Sequence, residues 1–288
     1  MLYNYSFIIP HKNCPELLKR CVDSIPVRED VQIIVVDDNS DEGKKPYFER
    51  KEVEVILLDA EHSKGAGRAR NVGLEHARGK WLLFADADDF YSSHLPVLLN
   101  KYADDETTDI VYLNACKFDE NRVVTPHKTE KLINDYMQCK KGAEMRLRYD
   151  LWTPWSRMVK KTIVDQNVIR FDEIPAGNDV MFGLKSSRFS KSIKVEKEIV
   201  YNYYKPCMGS CTDKARMKMI DSRLALRGNV INLYREVGYN HNINLFGIIF
   251  SYLRKSDSSV VDAMRKYRKY LCDYNVSMFS DLKRFLFN

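Results

Sequence analysis

No stretch of the sequence approaches the roughly 18 consecutive apolar residues that a membrane-spanning helix needs. The opening segment MLYNYSFIIPHKN has no basic leader and no long hydrophobic run before Pro10, so it reads as a strand and not as a secretory signal. A cytoplasmic protein is expected, touching at most the inner face of the cell membrane. Seven cysteines are odd in number and scattered, and only Cys207 and Cys211 lie close together. One C-x-x-x-C pair without a second is weak support for zinc, so reduced thiols are the expected state. Neither sign of charge prevails: 46 Lys and Arg stand against 40 Asp and Glu, a net charge of +6. These charges are interspersed through most of the chain, which excludes the dense basic stripe of a nucleic-acid binder. The dinucleotide fingerprint G-x-G-x-x-G fails where Arg70 replaces its last glycine, and a Walker lysine motif is missing. Internal repeats and low-complexity linkers are missing too.

What remains is the material of one large domain or two modest ones. Hydrophobic residues fill 44% of 288 positions, enough for a substantial core. The runs YSFIIP (5–10), VQIIVVDD (31–38), VEVILLD (53–59), KWLLFAD (80–86) and DIVYLNA (109–115) are short, nearly continuous and rich in Val and Ile. Strands covered on both faces have that character. Between them PELLKRCVDSI (15–25), GRARNVGLEHA (67–77) and HLPVLLNKYA (94–103) space their apolar residues by three and four, as helices do. The alternation predicts an α/β fold with an open, mostly parallel sheet and right-handed crossovers. Beyond residue 116 the pattern loosens. FDENRVV (118–124) reads as a hairpin turning at Glu120 and Asn121, and helical spacing surrounds Trp152, Trp155 and Met158. A loop through Pro175, Ala176 and Gly177 leads to an expected helix cap at Asn178.

Ligands on such sheets bind beyond the carboxyl ends of the strands, where the strand order reverses. Two of the expected strands end there in acids, Asp37-Asp38 and Asp86-Ala87-Asp88-Asp89. Crowded carboxylates repel one another unless a cation or a ligand compensates them. Asp86 and Asp88 are two apart, so an extended backbone turns both to one face. Such a pair suits Mg2+ or Mn2+, with positions left for water and phosphate. A turn or a helix cap uses the same residues, so the triplet alone does not decide between the two readings. The glycine-loosened run HSKGAGRARNVG (62–73) brings Arg68 and Arg70 to a helix N-terminus, a grip suited to a diphosphate.

Taken in order, SFIIPHKN (6–13), IIVVDDNS (33–40) and GAGRARNVGLEHARGKWLLFADADDFY (65–91) resemble the family-2 glycosyltransferases with the A-type nucleotide-diphospho-sugar fold. WTPWSRMVKKTIV (152–164) and RFDEIPAGNDVMF (170–182) resemble the acceptor half of members that build bacterial surface polysaccharides. The resemblance implies a nucleotide-sugar-binding half over 1–115 and an acceptor-binding half of the same domain over 116–213, while residues 214–288 match no family motif and read from their own pattern as a C-terminal helical region. It implies an inverting, metal-dependent transfer of sugar from a UDP-linked or similar nucleotide-sugar to a hydroxyl of a glycan or lipid-linked glycan. Pro10, Asp38, Arg70 and Asp86 would then line the nucleotide-sugar, Asp38 toward the base, Arg70 toward base or phosphate, and Asp86 toward the ribose. Asp88 would hold Mn2+ or Mg2+, and Asp179 would be the general base. Trp155 is the candidate for stacking on an acceptor sugar, although tryptophan is more often simply packed. The chain departs from the family pattern twice. Asn178-Asp179 stands where Glu-Asp is common, and His11-Lys12 follows the proline where a small residue and an aromatic are usual.

The chemistry suits those residue types independently of the family. Departure of a nucleoside diphosphate develops negative charge on a phosphate oxygen, which a divalent cation stabilises. The attacking hydroxyl must lose its proton, and a carboxylate within reach contributes ~10²–10⁴-fold. One base with no second nucleophile implies single displacement and inversion. Helix capping is the other reading of Asp179. Residues 239–288 hold eight Lys or Arg against four Asp. An anionic membrane surface would use such a segment, and so would ordinary packing with a solvated basic face. Two rival classes share such a sheet. A sugar-1-phosphate nucleotidyltransferase needs a glycine-rich N-terminal loop with a basic residue for triphosphate, which IIPHKNCPELL lacks. The other rival is a non-catalytic module that binds nucleotide or glycan.

Overall fold

Four of the Val- and Ile-rich runs become strands buried on both faces, whereas the run at 53–59 forms an edge strand that is only half-buried, with Leu57 52% exposed. In a computed structural model, which describes residues 3–119, 124–204, 220–240, 243, 245–255 and 259–286, strand β1 (Tyr5–His11) lies between β2 (Val31–Asp37) and β4 (Trp81–Phe84). Strand β3 (Val53–Leu57) pairs with the far side of β2, and all four strands run parallel. Helices α1 (Pro15–Asp23), α2 (Ala66–His76) and α3 (Leu95–Tyr102) form where the spacing predicted them. Alternate residues divide the core in two. Phe7, Ile9, Ile33, Val35 and Leu83 pack with Leu18 and Val22 of α1 and Leu98 of α3 on one face. Ile8, Ile34, Val36 and Phe84 pack with Ala69 and Val72 of α2 on the other.

The second half of the sheet is mixed. Strand β8 (Arg157–Lys160) runs antiparallel between β4 and β6 (Ile110–Phe118), and β9 (Ile193–Tyr204) continues parallel to β6. The short β5 (Phe90–Tyr91) closes the edge against β9, and β7 (Val124–Pro126) pairs with the end of β6. The hairpin arms therefore form as expected, while its turn at Glu120 and Asn121 lies outside the described residues, as do Cys207 and Cys211. The five cysteines that are described are free thiols. Helical spacing around Met158 proved misleading. Pro154 opens a 3-10 turn over Pro154–Ser156, and Met158 then enters β8, where it pairs with Leu83 on one side and Val111 on the other. Central burial makes any apolar residue acceptable there, so the spacing carried no helical information.

The chain divides into two compact units, Met1–Glu173 with Asn178–Cys207, and Ile174–Gly177 with Met208–Asn288. The first also contains α4 (Lys128–Met137), α5 (Ala143–Asp150), α6 (Lys161–Gln166) and α7 (Val180–Phe189). Among the described residues the second is helical, with α8 (Ile220–Glu236), α9 (Phe246–Lys255), α10 (Val260–Asp273) and α11 (Met278–Leu286).

One close approach fixes α7. A Cβ on Gly183 would stand 2.3 Å from the Trp152 carbonyl oxygen, and the Gly183 carbonyl accepts from the fully buried Arg157 at 2.8 Å. Alanine favours a helix over glycine by ~1 kcal/mol, but here it meets backbone that has little room to move. Gly183→Ala should therefore destabilise the protein by about 1–3 kcal/mol. Gly43→Ala, with nothing within 4 Å, should leave the transition nearly in place. Calorimetric melting of the two variants checks this, and an unshifted Gly183→Ala transition would remove the constraint on α7.

Candidate active site

Parallel pairing sets His11 beside Asp37 and Ile8 beside Phe84, so the chain leaves β1, β2 and β4 at one rim. Strand order reverses at β1, with β2 and β3 on one side and β4 on the other. A crevice opens at such a reversal. Pro10 is buried near the end of β1, opposite Val36. Next to it, His11 Nδ1 lies 2.6 Å from Asp37 Oδ1, with both side chains enclosed. His11 Nε2 accepts from the Cys14 N–H at 3.1 Å, so the ring proton sits on Nδ1 and is donated to Asp37. Asp37 also accepts from the Ser40 amide and hydroxyl at 2.9 and 2.5 Å. The first acid of the pair thus holds the turn. Its neighbour Asp38 is buried too, with Oδ1 accepting the Gly65 N–H at 3.2 Å and Oδ2 lying 3.5 Å from Lys12 Nζ. Gly65 starts α2 at φ 86°, a conformation that favours glycine.

Helix α2 carries the residue that joins the parts. Arg70 is 6% exposed. It donates through Nη2 to Asp86 Oδ1 at 2.5 Å and through Nη1 to Asn178 Oδ1 at 2.8 Å. Its guanidinium carbon lies 5.4 Å from the Phe171 ring centroid, and its Nε has no partner among the described residues. Arg68 faces Glu173 at 3.6 Å. Both arginines of the expected diphosphate grip therefore answer carboxylates or amides of the protein itself.

After β4 the backbone does not stay extended. The Asp89 N–H donates to the Asp86 carbonyl at 3.0 Å and closes a turn. Alternation survives nonetheless: Asp86 and Asp88 are half-buried, while Ala87 and Asp89 are buried. The three carboxylates then diverge. Asp86 takes Arg70. Asp89 accepts from the Tyr201 hydroxyl and the Tyr204 N–H, both at 2.7 Å. The same hydroxyl accepts from the Asp86 N–H at 3.0 Å, so one phenol fastens both ends of the turn. Burial, reinforced by the charges of Asp86 and Asp88, pushes the Asp89 carboxyl well up. Burial likewise raises the Tyr201 phenol.

Asp88 is different. Its carbonyl accepts from Arg20 Nη2 at 2.5 Å, while its carboxylate is favoured in its charged form by its own backbone N–H and by the charge of Arg20. Burial first, and the charge of Asp86 second, raise it above the usual carboxylate range. A divalent cation would relieve that crowding. No three protein donors are assembled for one among the described residues. The residues that could hold a Mg2+ or Mn2+ ion here are Asp88 and, beside the oxygen engaged by Arg70, Asp86.

Helix α7 begins at Asp179, whose side chain makes no capping hydrogen bond. The cap position falls at Asp179, one residue later than the Asn178 expected, and the Asn178 amide oxygen accepts from Arg70. Asp179 is half-buried. Burial raises its carboxyl above the usual range and Asp86 adds to the effect, while Arg70 and Lys128 oppose it. Asn71 exchanges hydrogen bonds with the Phe171 backbone at 2.9 and 3.0 Å, and the Asp172 N–H reaches the Asn178 carbonyl at 3.0 Å. Arg70, Asp86 and Asp179 therefore share one electrostatic neighbourhood, with Asp88 beside it. Trp155 stacks on Tyr201 and Tyr203 at 4.9 and 5.6 Å and is 4% exposed, so its ring serves the protein's own stack. Tyr201 had no signal in the sequence; only the pairing of β9 with β5 reveals it.

The family model described as glycosyl transferase family 2 matches residues 6–163. The uncharacterized glycosyltransferase EpsJ of Bacillus subtilis is 28% identical over 251 residues, which cover 76% of this chain and 68% of that protein. A poly(ribitol-phosphate) beta-glucosyltransferase of Bacillus spizizenii is 27% identical over 208 residues, covering 69% of this chain and 31% of that longer protein. Among solved structures, Staphylococcus aureus TarS 1–349 in complex with UDP-GlcNAc matches with a TM-score of 0.67 at 18% identity, over 94% of this chain and 80% of that one. The open α/β sheet is the fold they share.

Because the Asp88 carboxyl keeps its proton to higher pH in the folded protein than in the unfolded chain, folding loses stability as pH rises through that raised value. Asp88→Asn should therefore melt about 2–4 °C higher than the parent at neutral pH without metal, worth ~1 kcal/mol. The gain should vanish as pH falls below the ordinary 3.8. Thermal melts across pH test this; a lower melting temperature for Asp88→Asn would mean that the carboxylate supports the fold.

Proposed function

This chain belongs to glycosyl transferase family 2 and is a glycosyltransferase, and from that premise we propose that it moves one sugar, with inversion, from a UDP-linked or similar nucleotide-sugar to a hydroxyl of a lipid-linked surface glycan. The observation that carries the reading is the Arg70 bridge, which ties the acidic turn after β4 to the residue before the uncapped Asp179. Relatives whose names specify a poly(ribitol-phosphate) acceptor and a UDP-GlcNAc complex support the substrate class.

In this reading the acceptor oxygen attacks the anomeric carbon on the face opposite the diphosphate. Its proton passes to a carboxylate oxygen of Asp179. The bond between anomeric carbon and phosphate oxygen breaks, and its electron pair leaves with the nucleoside diphosphate. The raised carboxyl makes Asp179 a stronger base than an exposed aspartate, while Arg70 favours its ionised form. Asp38 offers a buried acceptor to the base edge beside Pro10, and Asp86 faces the ribose. Mn2+ or Mg2+ held by Asp88 with Asp86 would supply charge neutralisation at the diphosphate. A lipid-linked acceptor lies at an anionic bilayer, and the basic segment 239–288 is assigned to that surface.

The test is release of UDP from a panel of nucleotide-sugars with acceptor, with and without Mn2+. Asp179→Asn should lower kcat by ~10²–10⁴-fold and leave calorimetric affinity for UDP with Mn2+ unchanged. Asp88→Ala should remove the metal-dependent part of that affinity. The acid limb of kcat/KM should lie above 3.8, the ordinary carboxyl value, with activity falling as pH drops through it. Pyrophosphate release from a nucleoside triphosphate would reassign the site to nucleotidyl transfer, and full turnover in Asp179→Asn would leave that residue a structural one.

A further inference from the structure

Helix α11 is turned inside out. Its single carboxylate, Asp281, is fully buried and accepts from the N–H groups of Leu245 and Phe246 and from the Tyr267 hydroxyl, each at 2.8 Å. One turn on, Phe285 packs against Phe246 and Phe250 at 5.0 and 5.3 Å. Phe279 is 79% exposed and Leu286 70% exposed, and Lys283 between them is exposed as well. Steps of four and three residues align these three in one stripe, about half a turn from Asp281 at roughly 100° per residue. The rotation is not free. Turning α11 to hide Phe279 and Leu286 would leave two amides and a phenol without their acceptor and bring a carboxylate out of a site built for it. The exposed apolar stripe is therefore enforced by a buried polar pin.

The C-terminal segment is basic in balance, with eight Lys or Arg against four Asp over residues 239–288, Asp262 and the exposed Asp273 of α10 among the acids. Arg268 of α10 and Met278 of α11 line the same groove, and Arg265, Arg268 and Lys269 are exposed on α10. The stripe itself contains no acid. We propose that Phe279, Lys283 and Leu286 seat α11 on an anionic lipid bilayer, the two apolar side chains entering below the headgroups and Lys283 among the lipid phosphates. A second copy of this chain fits the surface less well, since a twofold contact would set Lys283 against its own mate. The inference deepens the function proposed above, which assigns segment 239–288 to an anionic bilayer, and it rests on that reading for the use the anchoring would have.

The test is sedimentation of the full chain with vesicles of phosphatidylcholine alone, and with vesicles of equal parts phosphatidylcholine and phosphatidylglycerol, without nucleotide-sugar. The parent should bind the anionic vesicles and leave the neutral ones largely free. Phe279→Ser combined with Leu286→Ser should weaken that binding by about tenfold or more, and Lys283→Glu by a similar factor. Circular dichroism melts should be unchanged, because the replaced side chains are exposed. Equal binding to both vesicle types, or undiminished binding by the double variant, overturns the proposal. So does a double variant that changes the sedimentation coefficient but not vesicle binding, which would make the stripe a contact between copies. Absent vesicle binding with intact transfer to a soluble acceptor sinks the anchoring alone; intact vesicle binding with no sugar transfer sinks the catalytic reading alone.

Discussion

A buried guanidinium is tolerated only where a partner matches its charge. Arg70 meets that condition with Asp86 and also donates to Asn178, two partners that come from segments 92 positions apart in sequence. The requirement runs in both directions. Without Arg70, Asp86 would stand beside Asp88 as a second carboxylate with no cation matched to it. Because α2 is itself packed against β1 and β2, the ion pair places the head of α7 relative to the central sheet. Every later feature of the rim presupposes that placement.

Behind the rim stands an aromatic wall. Tyr201 lies between Trp155, stacked at 4.9 Å, and Tyr91, edge-on at 5.2 Å. Its hydroxyl thereby has one location, which is where the turn after β4 needs both a donor and an acceptor. Three neighbouring acids receive three environments as a result. One is neutralised by arginine, one is sunk into hydrogen bonds, and one, Asp88, is held mainly by burial beside a like charge. Such a division depends on rigid backing more than on the acids themselves.

The parallel half of the sheet was legible because strands buried on both faces must be apolar throughout, and residues 5–10, 31–38 and 80–86 are nearly so. Topology then put the acids of β2 and β4 on one rim. Legibility stopped where the partner is remote in sequence. Nothing near Met158 announces a strand, because its neighbours Leu83 and Val111 arrive from elsewhere. Asn178 looked like a cap because the residue type suits one, yet the helix begins one residue later, at Asp179, and Asn178 meets Arg70 from a helix 108 positions away. His11 and Asp37 were visible only as a departure from the family pattern and as half of an acidic pair, and their mutual bond appears only once β1 and β2 are in register.

That bond also decides what His11 can still do. With Nδ1 donating to Asp37 and Nε2 occupied by the Cys14 amide, the imidazole that β1 delivers to the rim has no lone pair to offer. It cannot ligate a metal ion without giving up one of those two bonds.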